Sequence, residues 1–119
     1  MGARYHKELD VWKAAMQFAA DIYRATEKLP KHELYGLVSQ LRRAAVSVAS
    51  NISEGAARQS KKEFIQFLYC SLGSSVEIET QLELTGMLGF LSESELQPLF
   101  ELRERIAQML YGLIRKLKS

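Results

Sequence analysis

Apolar residues along this chain recur at three- and four-residue intervals, and the two-residue alternation of a half-buried strand is absent. The spacing predicts four helices. The first, over about 9–29, carries Trp12, Ala15, Met16, Ala19, Ile22, Tyr23 and Thr26 on one face. Leu29-Pro30 closes it, because the residue before a proline is disfavoured in the α region. The second, over about 32–57, presents Leu34, Leu37, Val38, Leu41, Ala45, Val48 and Ile52 at heptad-like intervals. The third, over about 60–88, opens at Ser60-Lys-Lys-Glu63, a capping-box signature in which a serine caps the first turn and a glutamate reaches back. Its inner face holds Phe64, Leu68, Ser71, Leu72, Ser75, Ile78, Glu79 and Leu82, and Gly86 to Gly89 end it. Ser92 and Glu95 repeat the capping pattern before the fourth, over about 92–117, with Leu96, Leu99, Phe100, Arg103, Ile106, Leu110, Leu113, Ile114 and Leu117. Connections this short favour antiparallel neighbours. The expected fold is therefore all-α, an antiparallel up-down-up-down four-helix bundle occupying residues 1–119 as one domain.

A length of 119 residues is enough to bury a core without disulfides or metal. Cys70 is the only cysteine and has no internal partner, which suits a reducing cytoplasm. No apolar run reaches the roughly 20 residues that span a bilayer, and Met1 to Glu8 lack the apolar segment of a secretory signal, so no membrane role is expected. The net charge of +2 is too small to imply a polyanionic partner by itself. Its distribution is more informative. Residues 31–62 set Lys31, Arg42, Arg43, Arg58, Lys61 and Lys62 against Glu33 and Glu54. Residues 63–95 contain no Lys or Arg but carry Glu63, Glu77, Glu79, Glu83, Glu93 and Glu95. Residues 96–119 are basic again, through Arg103, Arg105, Arg115, Lys116 and Lys118 against Glu101 and Glu104. Charge segregated in this way points to complementary neighbours.

Four groups of residues are candidates for chemistry or contact. On the second helix, Gly36, Arg43, Ser47, Ser50 and Glu54 fall opposite the core stripe. Small side chains there permit close approach by another helix, so this is the expected subunit interface; the bland alternative is an ordinary exposed face. On the third helix, Ser71, Ser75 and Glu79 form a polar seam in an apolar face, and a buried carboxylate requires a cation. Arg42, Arg43 or Arg103 could supply it, and a buried polar network of Arg42, Ser71, Ser75 and Glu79 is expected. A di-iron site in a bundle would need a Glu-x-x-His pair on each of two helices, and the only histidines, His6 and His32, stand near the terminus and in the loop before the second helix, so neither metal nor other cofactor is expected. Arg58, Lys61 and Lys62 at the turn between the second and third helices, with Arg115 and Lys118 near the C-terminus, form a candidate nucleic-acid contact. The alternatives for them are solvation, pairing with neighbouring glutamates, and favourable placement of cations at a helix C-terminus. Trp12, Tyr23 and Tyr35 are possible base-stacking platforms, although aromatic residues at helical spacing more often pack in cores. Glycine-rich phosphate loops, Cys-x-x-Cys pairs and nucleophile elbows are missing, so no enzyme activity is expected.

Several of these segments together resemble a known family. They are Leu9-Asp-Val-Trp-Lys13, Leu29-Pro30 with Glu33-Leu-Tyr-Gly-Leu37, and above all Gln40-Leu-Arg-Arg-Ala-Ala-Val-Ser47 with Asn51-Ile-Ser-Glu-Gly55. Ser60-Lys-Lys-Glu-Phe64, Ser71-Leu-Gly-Ser74 and Glu77 to Leu82 continue the likeness over nearly the whole chain. The chain resembles the four-helix-bundle proteins named for reading frames inside intervening sequences of bacterial 23S ribosomal RNA genes. The resemblance implies a cytosolic bundle that assembles as a ring-like homopentamer, and implies no established biochemical activity. A related branch is the accessory proteins of diversity-generating retroelements, basic pentamers that bind nucleic acid and a reverse transcriptase; this chain is less basic than that branch. Two functions follow as expectations. One is a non-enzymatic homo-oligomeric scaffold binding RNA, DNA or a nucleic-acid enzyme through its basic surface. The other is a protein-interaction module whose charges are used in subunit contacts.

Overall fold

The computed structural model describes residues 5–119. Four helices dominate: α1 (Asp10–Thr26), α2 (Ser39–Ala56), α3 (Lys61–Met87) and α4 (Glu93–Lys118). No strand occurs among the described residues. They form an all-α bundle measuring 44 × 22 × 19 Å. Pairwise contacts fix the directions. Gln40 meets Gln81 and Ser47 meets Ser74, so α2 and α3 are antiparallel. Tyr69 meets Lys118 and Glu79 meets Arg103, so α3 and α4 are too. Tyr23 meets Arg42 across α1 and α2, and Lys28 meets Glu95 beside α1 and α4. The helices thus stand at the corners of a square, with α1 diagonal to α3 and α2 diagonal to α4.

Phe18, Ile22, Leu41, Val48, Ile52, Phe64, Leu68, Ile78, Leu82, Ile106 and Leu110 fill the centre with almost no solvent exposure. Each such side chain contributes about 1.5–3 kcal/mol by leaving water. On α1 the inner face is Val11, Ala15, Phe18, Ile22 and Thr26, rotated from the stripe expected from sequence. Met16 and Tyr23 are exposed and Trp12 and Ala19 half-buried. The reason is that α1 carries two apolar stripes less than a quarter-turn apart, and the bundle buries the one that contains Phe18.

Three helix ends follow their local chemistry. The Ser60 hydroxyl accepts from the Glu63 N–H at 3.1 Å. At α4 the box is complete, with Ser92 accepting from the Glu95 N–H and the Glu95 carboxylate accepting from the Ser92 N–H at 2.8 Å. α3 ends in a Schellman arrangement: Phe90 N–H donates to the Thr85 carbonyl and Gly89 N–H to that of Gly86, with Gly89 at φ +76°.

The start of α2 departs from the continuous helix expected from residue 32. A tight turn at Lys31–Glu33 and a wide one at Leu34–Val38 precede it, and Gly36 adopts non-helical angles. The Glu33 carboxylate accepts from the Leu37 N–H at 3.2 Å, and a Cβ on Gly36 would lie 2.8 Å from that carboxylate. This bend turns Leu34 outward and leaves Tyr35 92% exposed.

Candidate nucleic-acid interface

The antiparallel order brings the end of α2, the start of α3 and the end of α4 to one end of the bundle. Arg58, Lys61, Lys62, Arg115 and Lys118 all lie there and all are exposed. The guanidinium of Arg58 lies 4.8 Å from the Phe67 ring centroid. Lys118 Nζ is 3.3 Å from the Tyr69 hydroxyl and 5.5 Å from its ring centroid. Phe67 and Tyr69 are two residues apart and therefore point to opposite flanks of α3. Cations thus frame the start of α3 from both sides. Among the described residues none of the five forms an ion pair. The lysines are also badly placed for helix stability, since Lys61 and Lys62 stand in the first turn of α3 where the helix dipole is already positive. Stacked guanidinium and ammonium groups of this kind keep their donors free for phosphate oxygens.

The expected buried network is only partly assembled. Arg103 is the buried charge, with its side chain 6% exposed. Its Nη1 donates to Ser75 Oγ at 2.9 Å. Its Nη2 contacts Glu79 Oε2 at 3.0 Å and Glu104 Oε2 at 2.8 Å. Glu79 is not buried: its side chain is 48% exposed and reaches Arg103 from the edge of the seam. Ser71 donates instead to the Val48 carbonyl at 2.8 Å, joining α3 to α2. Arg42 belongs elsewhere altogether. Its Nε donates to Thr26 Oγ1 at 2.9 Å and its Nη2 to the Tyr23 carbonyl at 3.2 Å, with the guanidinium 4.6 Å from the Tyr23 ring centroid.

The five small-face residues of α2 do not share one direction. Arg43 and Glu54 are exposed, and Ser50 borders the outer groove between α1 and α2. Ser47 turns to α3 of its own chain, where its hydroxyl is 2.9 Å from that of Ser74 and accepts from Asn51. Gly36 sits in the bend. The close helix approach anticipated from small residues is found within the chain, at Gly55: a Cβ there would lie 2.7 Å from Phe67 Cβ and 2.9 Å from Phe64 Cδ1. Sequence reasoning missed this role, and it missed Glu104 as the second carboxylate on Arg103. The adjacency of Glu104 to a buried arginine was the available signal. Trp12 packs edge-on to His6 at 5.0 Å, and Cys70 is free and exposed. Among the described residues no group of three His, Cys, Asp or Glu side chains is gathered closely enough to hold a metal ion, and no helix is long and apolar enough to cross a membrane.

Residues 7–112 match the 23S rRNA-intervening sequence protein family. The chain belongs to that family. Among solved structures, this member of the 23S rRNA-intervening sequence protein family is similar to a protein of unknown function from the S23 ribosomal protein family of Bacteroides thetaiotaomicron. The two share 23% identity and superpose with a TM-score of 0.81, over 88% of this chain and 95% of the other. At that identity the likeness establishes the bundle fold and leaves activity aside. No curated protein matches the chain. The family match spans the turn after α2 with Arg58, Lys61 and Lys62, and ends before Arg115 and Lys118.

Proposed function

We propose that the protein is a non-enzymatic homo-oligomeric scaffold that binds nucleic acid through the end of the bundle formed by Arg58, Lys61, Lys62, Arg115 and Lys118. The observation that carries this reading is the gathering of these cations at one end without carboxylate partners among the described residues. Had they been consumed by the glutamates of α3, the basic end would be electrically quiet. Self-association, with five copies as the family resemblance implies, would repeat the patch around one rim and add avidity for a long polyanion. The free, exposed Cys70 suits a reducing cytoplasm. The mode of binding is electrostatic: cations displace counterions from phosphates, and no helix offers a row of side chains suited to reading base edges. Structured RNA would be distinguished by shape.

An anisotropy titration with labelled structured RNA and matched DNA, at low and moderate salt, tests the reading. Binding should weaken steeply with salt. Alanine at Arg58, Lys61 and Lys62 together should weaken it. The same variant should flatten the slope of log affinity against log salt by about 0.7–0.9 for each phosphate that is no longer neutralised. Absence of binding at low salt would reject the nucleic-acid role. A second reading, a protein-interaction module, is favoured by one observation, the two carboxylates of Glu79 and Glu104 facing outward around a single arginine.

A further inference from the structure

Two faces on opposite sides of the square bundle carry exposed apolar side chains and, midway along the bundle, opposite charge; Lys118 stands on the second face only at its basic end. The first is the outer side of α1 and α2. Met16, Tyr23, Tyr35 and Val46 are exposed there along the groove between the helices, beside Arg42 and Arg43. The second is the outer side of α3 and α4. Tyr69, Val76 and Met87 are exposed on α3 at separations of seven and eighteen residues from the first, close to two and five whole turns, so they form one stripe. Lys118 touches Tyr69, and Tyr111 lies seven residues before Lys118 on the same side of α4. A 27-residue helix with apolar residues on both its inner and its outer side is the pattern of a helix covered from two directions.

The charges complement one another at matching height. On the second face one guanidinium nitrogen of Arg103 serves both Glu79 and Glu104, whose side chains are 48% and 58% exposed. Two carboxylates share one cation, and a unit of negative charge is left facing outward. On the first face Arg43 is exposed and has no ion pair among the described residues. Arg42 beside it is pinned by Thr26 and Tyr23 with donors to spare. The Gln40–Gln81 and Ser47–Ser74 contacts place Arg43 level with the middle of α3, within a turn of Glu79. Docking side by side with axes kept parallel, each copy turned about that axis as a closing ring requires, therefore sets Arg43 against the Glu79–Glu104 pair. A side of 44 × 19 Å offers roughly 800 Å², about what each partner of a stable complex buries.

We propose that the α1/α2 face of one copy docks on the α3/α4 face of a second, with Arg43 meeting Glu79 and Glu104 and Val46 packing against the Val76 stripe. The inference rests on the self-association proposed above and specifies its surfaces. Because the two faces differ, the contact is heterologous: each copy retains one free face until a ring closes.

The test uses Val46→Glu and Val76→Glu, both at exposed positions away from the core and of like charge so that the two altered faces repel, with circular dichroism to confirm helicity and light scattering to give mass. The wild type should be an oligomer and each variant a 13.5 kDa single chain. Mixed in equal amounts, the two variants should form a dimer and stop there, since each supplies the face the other lacks. Arg43→Glu and Glu104→Arg should each raise the dissociation constant of that dimer at least tenfold, when each is placed on the variant whose affected face is intact, and together they should restore it. A wild type that stays a single chain at high concentration overturns both the self-association and these surfaces. A wild-type oligomer left intact by Val46→Glu and Val76→Glu overturns the surfaces alone. Self-pairing of either variant without the other, or no dimer on mixing two helical variants, also rejects the heterologous contact.

Discussion

Gly55 has a hydrogen where any other residue would place a carbon within 3 Å of two phenylalanines on α3. Here the neighbours include Phe67 Cβ, which moves only with the backbone, so Gly55→Ala must push α2 and α3 apart. We expect a loss of about 1–3 kcal/mol in urea unfolding, despite the better helix propensity of alanine. Ser75 is a second position where one atom matters. Ser75→Ala adds no bulk and removes the acceptor for Arg103 Nη1, leaving a buried donor unpaired at a cost of about 1–3 kcal/mol by the same measurement. Both residues were visible in the sequence as small or polar interruptions of an apolar pattern. What they touch was not, because a helical wheel gives direction without naming the neighbour. Ser47 shows the cost of that gap: its place opposite the core stripe implies a face toward another subunit, yet it bonds to Ser74 of its own chain.

Whole helices were more legible, because their ends rest on local rules. Ser60 with Glu63 and Ser92 with Glu95 located two starts to within a residue. The second of these also responds to acid. Hydrogen bonding to Lys28 at 2.7 Å, together with the Ser92 N–H and hydroxyl, holds the Glu95 carboxyl down to about 2 from its usual 4.5. A folded-state pKa lowered in this way contributes stability that is full above about 4.5 and is lost as pH falls towards 2. Lys28→Met should move the Glu95 titration upward, with the capping bonds left in place to hold part of the shift; carboxyl NMR shifts against pH would show it. At the other end of α3, Gly89→Ala should cost about 1–2 kcal/mol in thermal unfolding, since alanine resists the left-handed conformation. Periodicity failed where two answers were equally good. On α1 the stripe through Met16 and Tyr23 is as regular as the one through Val11 and Phe18, and only packing chooses. At Gly36 an unbroken apolar rhythm concealed a bend, because the hydrogen bond from Leu37 to Glu33 compensates locally for the broken helical ladder.

At the scale of the molecule, the antiparallel order turns a nearly balanced chain into one with a basic end. The segregation of charge along the sequence was legible; its convergence at one end depends on the direction of each helix. If copies stand side by side with axes parallel, every basic end faces the same rim. An assembly-blocked chain such as Val46→Glu then keeps each cation but loses simultaneous engagement. Its affinity for a long RNA should fall by about 100-fold or more while its affinity for a short one holds, as paired titrations would show.

The position of Ser119 also governs how the protein can be handled. Any polypeptide joined after Lys118 emerges beside Tyr69 and the lysines of α3, so a purification tag or fluorescent fusion there would shield the cations and imitate a loss-of-function variant. The turn from Leu88 to Leu91 lies at the far end of the bundle. A label inserted at exposed Gly89 would report on the protein from a distance, at the expense of the bend that ends α3.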